Sequence, residues 1–261
     1  MLPTATANGF METVERFSNR VENYIKYRPG YPPEVLQLFK DEMDLAPSSV
    51  LADIGSGTGI SARLFLENGN TVYGVEPNAA MRNAATTLLK NFPNYKPVEG
   101  TAEYTTLPEG SVNIIFAAQA FHWFEPEKTR IEFKRIIHKG GFVALMWNER
   151  QLDTTPFLRE YEHFLLANAS DYEKVRHENV TSDVLSNFFR SEFSQKTFAN
   201  KQILDFEGLR GRMLSSSYMP SETDERFASV ENELRKLFEK HADADGKVAI
   251  LYDTNVFYTQ I

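Results

Sequence analysis

One short stretch decides the fold of this chain: Val50-Leu51-Ala52-Asp53-Ile54-Gly55-Ser56-Gly57-Thr58-Gly59. An apolar run typical of a buried strand is followed by glycines at alternate positions, and a helical pattern begins directly after them. Glycine lets the backbone turn sharply and leaves no side chain between the backbone and a ligand. Amide groups at the start of the following helix attract polar or anionic groups. The stretch therefore predicts a strand, a ligand-binding loop and a helix.

A second strand supplies an acidic partner for this loop. Thr71–Val75 is apolar and is followed by Glu76, about twenty residues beyond the glycines, where a carboxylate can accept hydrogen bonds from both hydroxyls of a ribose. A glycine loop alone is a weak signal, because dinucleotide-dependent enzymes use a similar turn. The loop and the carboxylate together predict a site for a cofactor that contains a nucleoside.

The loop and Glu76 resemble two motifs of the class I S-adenosylmethionine-dependent methyltransferases, in which an aspartate and one further residue precede a Gly-x-Gly-x-Gly turn. Further stretches resemble that family in the same order along the chain: the adenine-side segment Glu99–Glu103, the fourth strand Val112–Phe116 and the fifth strand Gly140–Leu145. The resemblance covers residues 45 to 148 and implies S-adenosylmethionine as the cofactor.

Two other stretches resemble a narrower group, the small-molecule enzymes related to trans-aconitate methyltransferase. They are Tyr24–Pro32, ahead of the predicted sheet, and Ala118–Phe124, after its fourth strand. This resemblance implies methyl transfer to a small-molecule acceptor and makes a carboxylate a candidate acceptor.

The rest of the chain predicts an α/β fold. Apolar runs that alternate with helical patterns indicate a parallel sheet buried on both faces. The predicted strands are 49–54, 71–75, 95–99, 112–117, 141–147, 193–204 and 249–258, and the predicted helices include 58–68, 78–91, 126–137 and 222–240. The resemblance implies a Rossmann-like, seven-stranded, mostly parallel sheet with helices on both faces and an antiparallel last strand.

The predicted domain organisation is a single methyltransferase domain over residues 1–261. We expect residues 1–40 to form an N-terminal helical segment over the cofactor site. Residues 148–190, in which apolar side chains recur at helical spacing, predict a cap insertion. The alternative for that insertion is a helix that only packs on the sheet.

In a parallel sheet, ligands bind beyond the carboxyl ends of the strands. The resemblance implies that cofactor contacts come from these strand ends and from an aromatic and basic cluster ahead of the sheet. The predicted cofactor-binding residues are Tyr24, Arg28, Asp53, Gly55, Ser56, Gly57, Thr58, Gly59, Glu76, Pro77, Met81, Thr101, Ala102, Glu103 and Gln119.

Several of these residues also have a purely structural interpretation. An aromatic face such as that of Tyr24 can stabilise a sulfonium cation by ~0.5–2 kcal/mol, and Arg28 can pair with a carboxylate of the cofactor or of the acceptor. Equally, the segment can be a helix packed on the sheet edge and capped by Arg28. Asp53 can be a helix cap and Met81 a core residue. The family commonly carries aspartate where Thr101 stands, so this position departs from the pattern.

Acceptor binding is predicted for Tyr27, Phe121, His122 and Trp123. His122 is the candidate general base, because the pKa of a histidine lies near neutral pH. The alternative for His122 is a structural role under the loop. Trp123 is expected to pack rather than to react.

The charge and amino-acid composition of the chain argue against several classes of function. The net charge of −8 disfavours nucleic acid as the substrate, since such binding depends on lysine and arginine. The chain has no cysteine and only five histidines, which form no pattern of metal ligands. The N-terminus has no signal-peptide pattern, and no apolar run approaches the ~20 residues that span a bilayer. We therefore expect a cytoplasmic protein without a metal or membrane partner, and the oligomeric state stays open.

Two other functions remain compatible with the sequence. A dinucleotide oxidoreductase would share the fold type, but its fingerprint is Gly-x-Gly-x-x-Gly and Ile60 occupies the place of the last glycine. A protein that binds the cofactor without turnover would keep both the loop and the ribose acid. The sequence favours a methyltransferase over both.

Overall fold

The computed structural model describes residues 25–170 and 181–261. A single seven-stranded sheet has the order β3-β2-β1-β4-β5-β7-β6. The strands are β1 Val50–Ile54, β2 Thr71–Val75, β3 Tyr95–Val98, β4 Val112–Ala118, β5 Ile137–Arg150, β6 Ser194–Leu204 and β7 Val248–Gln260.

Helices connect and cover these strands. They are α1 Pro33–Glu42, α2 Ile60–Glu67, α3 Ala79–Leu88, α4 Pro126–Ile136, α5 Pro156–Asn168, α6 Ser182–Phe189, α7 Phe206–Leu214 and α8 Phe227–His241. A short 3₁₀ turn, Phe121–Trp123, follows β4.

Strand pairing confirms the predicted fold class. β1 to β5 pair in parallel, whereas β7 is antiparallel to both β5 and β6. The order of the parallel strands reverses between β1 and β4, the kind of position at which α/β sheets bind ligands. The structure therefore brings the glycine loop after β1 and the turn after β4 to the same crevice.

The sheet is buried on both faces because side chains alternate along each strand. Leu51 and Phe116 face a core that includes Phe39 of α1 and Phe65 of α2. Their neighbours on the strands face a second core, to which α4 and α6 contribute Phe133, Ile136, Phe188 and Phe189. Helices on both sides thus hold the ligand-binding edge rigid.

A third apolar cluster is built from α5, α7 and α8 together with the first half of β7. It includes Leu158 and Tyr161 of α5, Met213 of α7 and Leu234 of α8. The predicted cap insertion at 148–190 supplies α5 to this cluster, and residues 171–180 lie outside the described residues. That the cluster covers the acceptor stays a prediction.

Local sequence did not predict every element. The helix α7 was not expected, since Gly208 and Gly211 lower its helix propensity. It forms because Asp205 accepts a hydrogen bond from the Gly208 amide at its start and because Leu209 and Met213 are buried. The helix α6, the longer β5 and a later start for α8 also differ from the predicted elements.

We expect the substitution Gly74→Ala to lower the free energy of unfolding by ~1–3 kcal/mol, the usual cost of overpacking. A Cβ on Gly74 would lie 2.3 Å from the Tyr95 hydroxyl and 2.7 Å from a ring carbon of that buried side chain. Urea unfolding measures the loss. The control is Gly30→Ala, since a Cβ there meets no atom within 4 Å. Equal stability of the two variants would contradict this packing.

Candidate functional site

The glycine loop starts as a continuation of the sheet. The amides of Gly55 and Ser56 both donate to the carbonyl of Val75, at 2.9 and 3.1 Å. Gly55, Gly57 and Gly59 have φ values of 70°, 54° and 81°, a region that side chains with a Cβ rarely adopt. The alternate glycines are therefore required by the path of the backbone.

Glu76 holds this loop in place. Its Oε2 accepts a hydrogen bond from the Gly57 amide at 2.9 Å, and its Oε1 accepts one from the Asn78 amide at 2.8 Å. Burial raises the pKa of Glu76, and these two amides counteract the rise. A carboxylate has about four lone-pair positions, so each oxygen keeps the capacity to accept from a ribose hydroxyl.

Asp53 lies fully buried beneath the loop. Its Oδ2 accepts a hydrogen bond from the Ser61 hydroxyl at 2.6 Å. Burial raises the pKa of Asp53 to about 7, although the bond from Ser61 opposes the shift. The carboxyl group thus helps to fix the loop to the first turn of α2.

Several buried oxygen atoms near this strand edge have no hydrogen-bond partner within residues 25–170 and 181–261. They include Oδ1 of Asp53, Oγ1 of Thr58 and Oε1 of Gln119. A buried acceptor without a partner is costly, and a ligand that carries amino and hydroxyl groups can supply donors. A Cβ on Gly57 would also meet no protein atom within 4 Å, so the loop leaves open space where a ligand can approach. The residues present fit a nucleoside cofactor with an amino-acid end.

The start of α2 differs from its neighbours. The side chains of Asn78 and Glu125 cap α3 and α4, whereas the N-cap residue of α2 is Gly59, which has no side chain to cap it. Free amides at a helix N-terminus favour polar and anionic groups. This is consistent with a ligand at the loop.

The adenine-side segment is held by acidic side chains. Glu103 Oε1 accepts a hydrogen bond from the Glu125 amide at 2.8 Å. The amide of Thr105 donates to Glu132 at 2.8 Å. Thr101 and Ala102 directly precede these anchors, and the amides of Thr101 and Tyr104 donate to each other's carbonyls. The backbone of the segment is therefore fixed, although position 101 carries threonine and not aspartate. Beside the loop, Met81 is buried in α3 and Pro77 is partly buried.

Gln119 stands at the end of β4 with a φ of 57°. Its amide donates to the carbonyl of Met146 at 2.9 Å, and its Nε2 donates to the carbonyl of Asn148 at 3.0 Å. These bonds fix the side chain, while the second amide atom, Oε1, retains acceptor capacity. A polar side chain held in this way can position the reacting end of a cofactor.

The residues of the aromatic turn after Gln119 differ in burial. Phe121 is 2% exposed and packs on Trp147 and Phe188, so its side chain is a core residue with little surface for the predicted acceptor contact. The His122 ring lies 4.6 Å from the Trp123 ring, and Trp123 is exposed. Of the three residues in this turn, His122 and Trp123 have solvent-accessible surface, and their contacts with an acceptor stay a prediction.

The N-terminal cluster lies against the third apolar cluster. Tyr24 is outside the described residues. The ring of Tyr27 packs on Gly211 of α7, where an added Cβ would lie 2.0 Å from it. The Arg28 guanidinium donates to the carbonyl of Ser215 at 2.9 Å. The structure therefore places the two described members of this cluster near α7, and their predicted ligand contacts remain predictions.

Sequence reasoning missed the polar residues that hold this segment. Asn148 and Asn200 both donate to the Gly30 carbonyl, at 3.1 and 2.8 Å. Gln202 donates to the Tyr27 carbonyl at 3.0 Å. No local pattern identifies them, because their partners lie more than a hundred residues away in the chain.

Comparison with known proteins agrees with this geometry. Residues 52–145 match a methyltransferase domain family. A methyltransferase-like protein of Schizosaccharomyces pombe is 25% identical over 95% of this chain and 96% of its own. A provisionally named type II methyltransferase from Anaeromyxobacter dehalogenans is 19% identical with a TM-score of 0.67, covering 90% of this chain and 98% of that one. Phosphoethanolamine N-methyltransferase 2 of Haemonchus contortus, solved with S-adenosylhomocysteine, is 15% identical with a TM-score of 0.58, covering 99% of this chain and 60% of that one.

The fold, the loop bound to Glu76 and the domain match define the class of this protein. It is a class I S-adenosylmethionine-dependent methyltransferase. The predicted enzyme class and cofactor are thereby confirmed, and the narrower resemblance to the trans-aconitate methyltransferase group stays a prediction. In the described part of the chain, no helix is long and apolar enough to span a membrane.

The raised pKa of Asp53 makes a prediction about stability. The folded protein holds this proton more tightly than the unfolded chain does, because the carboxyl pKa rises from 3.8 to about 7 on burial. Asp53 therefore costs stability as the pH rises through this range. The difference in free energy of unfolding between Asp53→Asn and wild type should therefore shift in favour of the variant by on the order of 2–3 kcal/mol when the pH is raised from 5 to 8. Urea unfolding at both pH values measures this gain, and a difference that does not change with pH would contradict it.

A second prediction separates backbone strain from loss of ligand space. Gly57→Val should weaken S-adenosylhomocysteine binding by more than about 100-fold, because the branched side chain fills the open space at the loop. Gly110→Val is the matched control: its φ of 56° resembles that of Gly57, and a Cβ there also meets no atom within 4 Å. Calorimetric titration should show lost affinity in the first variant only. Tight binding by a folded Gly57→Val protein would contradict the assigned loop.

Proposed function

We propose that this methyltransferase acts on a small molecule and methylates a carboxylate oxygen. The choice of a carboxylate as the nucleophile rests on the hydrogen bonds that the acidic side chains at the cofactor edge already accept. Asp53, Glu76 and Glu103 each accept a hydrogen bond from a serine hydroxyl or a backbone amide, so they serve as anchors rather than as bases. A carboxylate acceptor suits such an edge because it is ionised at neutral pH and needs no base.

The proposed roles of the residues follow from their positions. S-Adenosylmethionine supplies a methyl group on a positively charged sulfur. Glu76 and the amides of the loop bind and orient the ribose side of the cofactor site, and Gln119 positions its reacting end. His122 and Trp123 form one wall for the acceptor. Alignment of reacting groups in this way can lower the activation barrier by several kcal/mol, up to ~7–11 in well-placed model systems.

A small acceptor is supported by the charge and by the third apolar cluster. The chain carries a net charge of −8, which opposes nucleic acid. The cluster formed by α5, α7 and α8 lies beyond the end of β5, next to the polar residues that hold Gly30. An added helical layer at this end can shield a small acceptor from water.

Two other functions fit the sequence, namely cofactor binding without turnover and NAD-type oxidoreduction. The domain match and the methyltransferase relatives favour methyl transfer over both. Titration of the protein with S-adenosylhomocysteine and with NAD tests the oxidoreductase alternative, and we expect only S-adenosylhomocysteine to bind. Methyl transfer from radiolabelled S-adenosylmethionine to a panel of small carboxylic acids, phenols and amines tests the alternative without turnover. Cofactor binding without transfer to any class would overturn the proposal.

The role of His122 gives a direct test of the nucleophile. With a carboxylate acceptor, His122→Asn should keep most of the rate, and the wild-type rate should be flat between pH 6 and pH 8. If the acceptor must lose a proton, the same change should cost ~10²–10⁴-fold and the rate should follow a histidine titration. Single-turnover rates across this pH range measure both effects. A large loss together with such a titration would make His122 the base and exclude the carboxylate proposal.

A further inference from the structure

Arg212 is a buried cation whose hydrogen-bond partners are neutral. It lies on α7 and is 9% exposed. Its Nε donates to the Tyr252 hydroxyl at 3.3 Å, and its Nη1 donates to the hydroxyls of Ser215 and Ser216 at 3.3 and 3.0 Å. Within residues 25–170 and 181–261, no carboxylate pairs with this guanidinium and no hydrogen bond involves Nη2.

Other arginines of the same region are neutralised. Arg150 is equally buried and is paired with Glu162, and Arg210 on the same helix pairs with Glu222 and Glu231. A buried charge is stable only when hydrogen bonds and an opposite charge offset the loss of water. The described hydroxyls meet the first requirement for Arg212 but not the second. An anionic partner is therefore missing from its described surroundings.

The position of Arg212 connects it to the acceptor side of the site. Tyr252 stands opposite Arg150 in the sheet, beyond the carboxyl end of β4. The Tyr252 hydroxyl donates to Gln202 Oε1 at 2.7 Å, and Gln202 Nε2 donates to the Tyr27 carbonyl. One bonded chain thus runs from the guanidinium to the segment predicted to bind the acceptor.

A second cation reaches the same turn. Arg28 donates to the carbonyl of Ser215, whose hydroxyl is a partner of Arg212. Two guanidinium groups therefore converge on the turn after α7. The turn after α7 is therefore a place where donor groups of both arginines come close together.

We propose that Arg212 is the anchor of an oxyanion subsite that holds a carboxylate or phosphate group of the acceptor, separate from the atom that is methylated. The planar guanidinium has the donor geometry that such groups require, and Nη2 keeps donors for the ligand. The identity of this ligand as the methyl acceptor rests on the proposed function. The presence of the anion subsite does not.

A purely structural role for Arg212 and a role in ligand binding predict different stabilities for the variant Arg212→Met. If its bonds to Tyr252 and the serines only hold α7, Arg212→Met should lower the melting temperature. If the guanidinium serves to bind an anionic ligand, replacing Arg212 with an apolar side chain of similar length should leave the melting temperature of the ligand-free protein unchanged or higher. The variant therefore separates the two roles before any activity is measured.

The test compares thermal unfolding in sodium citrate, succinate and phosphate with unfolding in sodium chloride of the same ionic strength. The wild type should melt about 2–4 °C higher with the oxyanion it recognises. The gain should vanish in Arg212→Met and remain in Arg210→Met, which removes an equal charge from the same helix. Arg212→Lys should keep part of the gain, because it retains the charge without the fork.

A gain with citrate or succinate alone assigns a carboxylate ligand, a gain with phosphate alone assigns a phosphate ligand, and a gain with both supports a general oxyanion subsite. No gain in the wild type, or an equal gain in Arg212→Met, would overturn the proposal. If Arg212→Met is too unstable to measure, a reduced gain in Arg212→Lys with a normal melting temperature supports the proposal, and a full gain in Arg212→Lys overturns it. Titration with S-adenosylhomocysteine is a separate readout: absent binding in the wild type defeats the proposed function and leaves the anion result standing.

Discussion

The hydrogen bond from the Gly57 amide to the Glu76 carboxylate joins the loop after β1 to the end of β2. Its geometry needs glycine on either side of Gly57, because a Cβ on Gly55 would lie 2.7 Å from Ala120 and one on Gly59 would lie 2.5 Å from Leu89. The same bond holds the carboxylate for which we propose contact with the ribose hydroxyls. A single contact therefore sets the shape of the loop and fixes the group that we assign to ligand binding.

The ligand-binding edge is assembled at a cost in stability. Asp53 is fully buried with one carboxyl oxygen lacking a partner in the described residues, and Arg212 is buried among hydroxyls without a described counter-charge. Polar groups in such surroundings lose hydration that protein contacts do not replace. The rigid cores on both faces of the sheet maintain these positions. A ligand that supplies the missing partners gains affinity from the same groups that cost stability in its absence.

The parallel and antiparallel parts of the sheet belong to two structurally distinct regions. The parallel half of the sheet, from β3 to β5, carries the cofactor edge and is covered by α1 to α4 and α6. The antiparallel end pairs β7 with β5 and joins a separate apolar cluster to the sheet. Polar bonds between Asn148 and Gly30 and between Gln202 and Tyr27 link the N-terminal segment to this end. The region that we propose for the acceptor is therefore built on contacts separate from those of the loop.

The sequence by itself determined the cofactor half of this protein. The strand from Val50, the alternate glycines and Glu76 are close enough in the chain for local pattern and spacing to place them. Tertiary structure alone decided the half to which we assign the acceptor. The burial of Phe121, the packing of Tyr27 on Gly211 and the position of Arg212 depend on contacts between segments far apart in the chain. Helix α7 shows the reason most clearly: two glycines weaken its local signal, yet one of them is what allows an aromatic ring to pack against it.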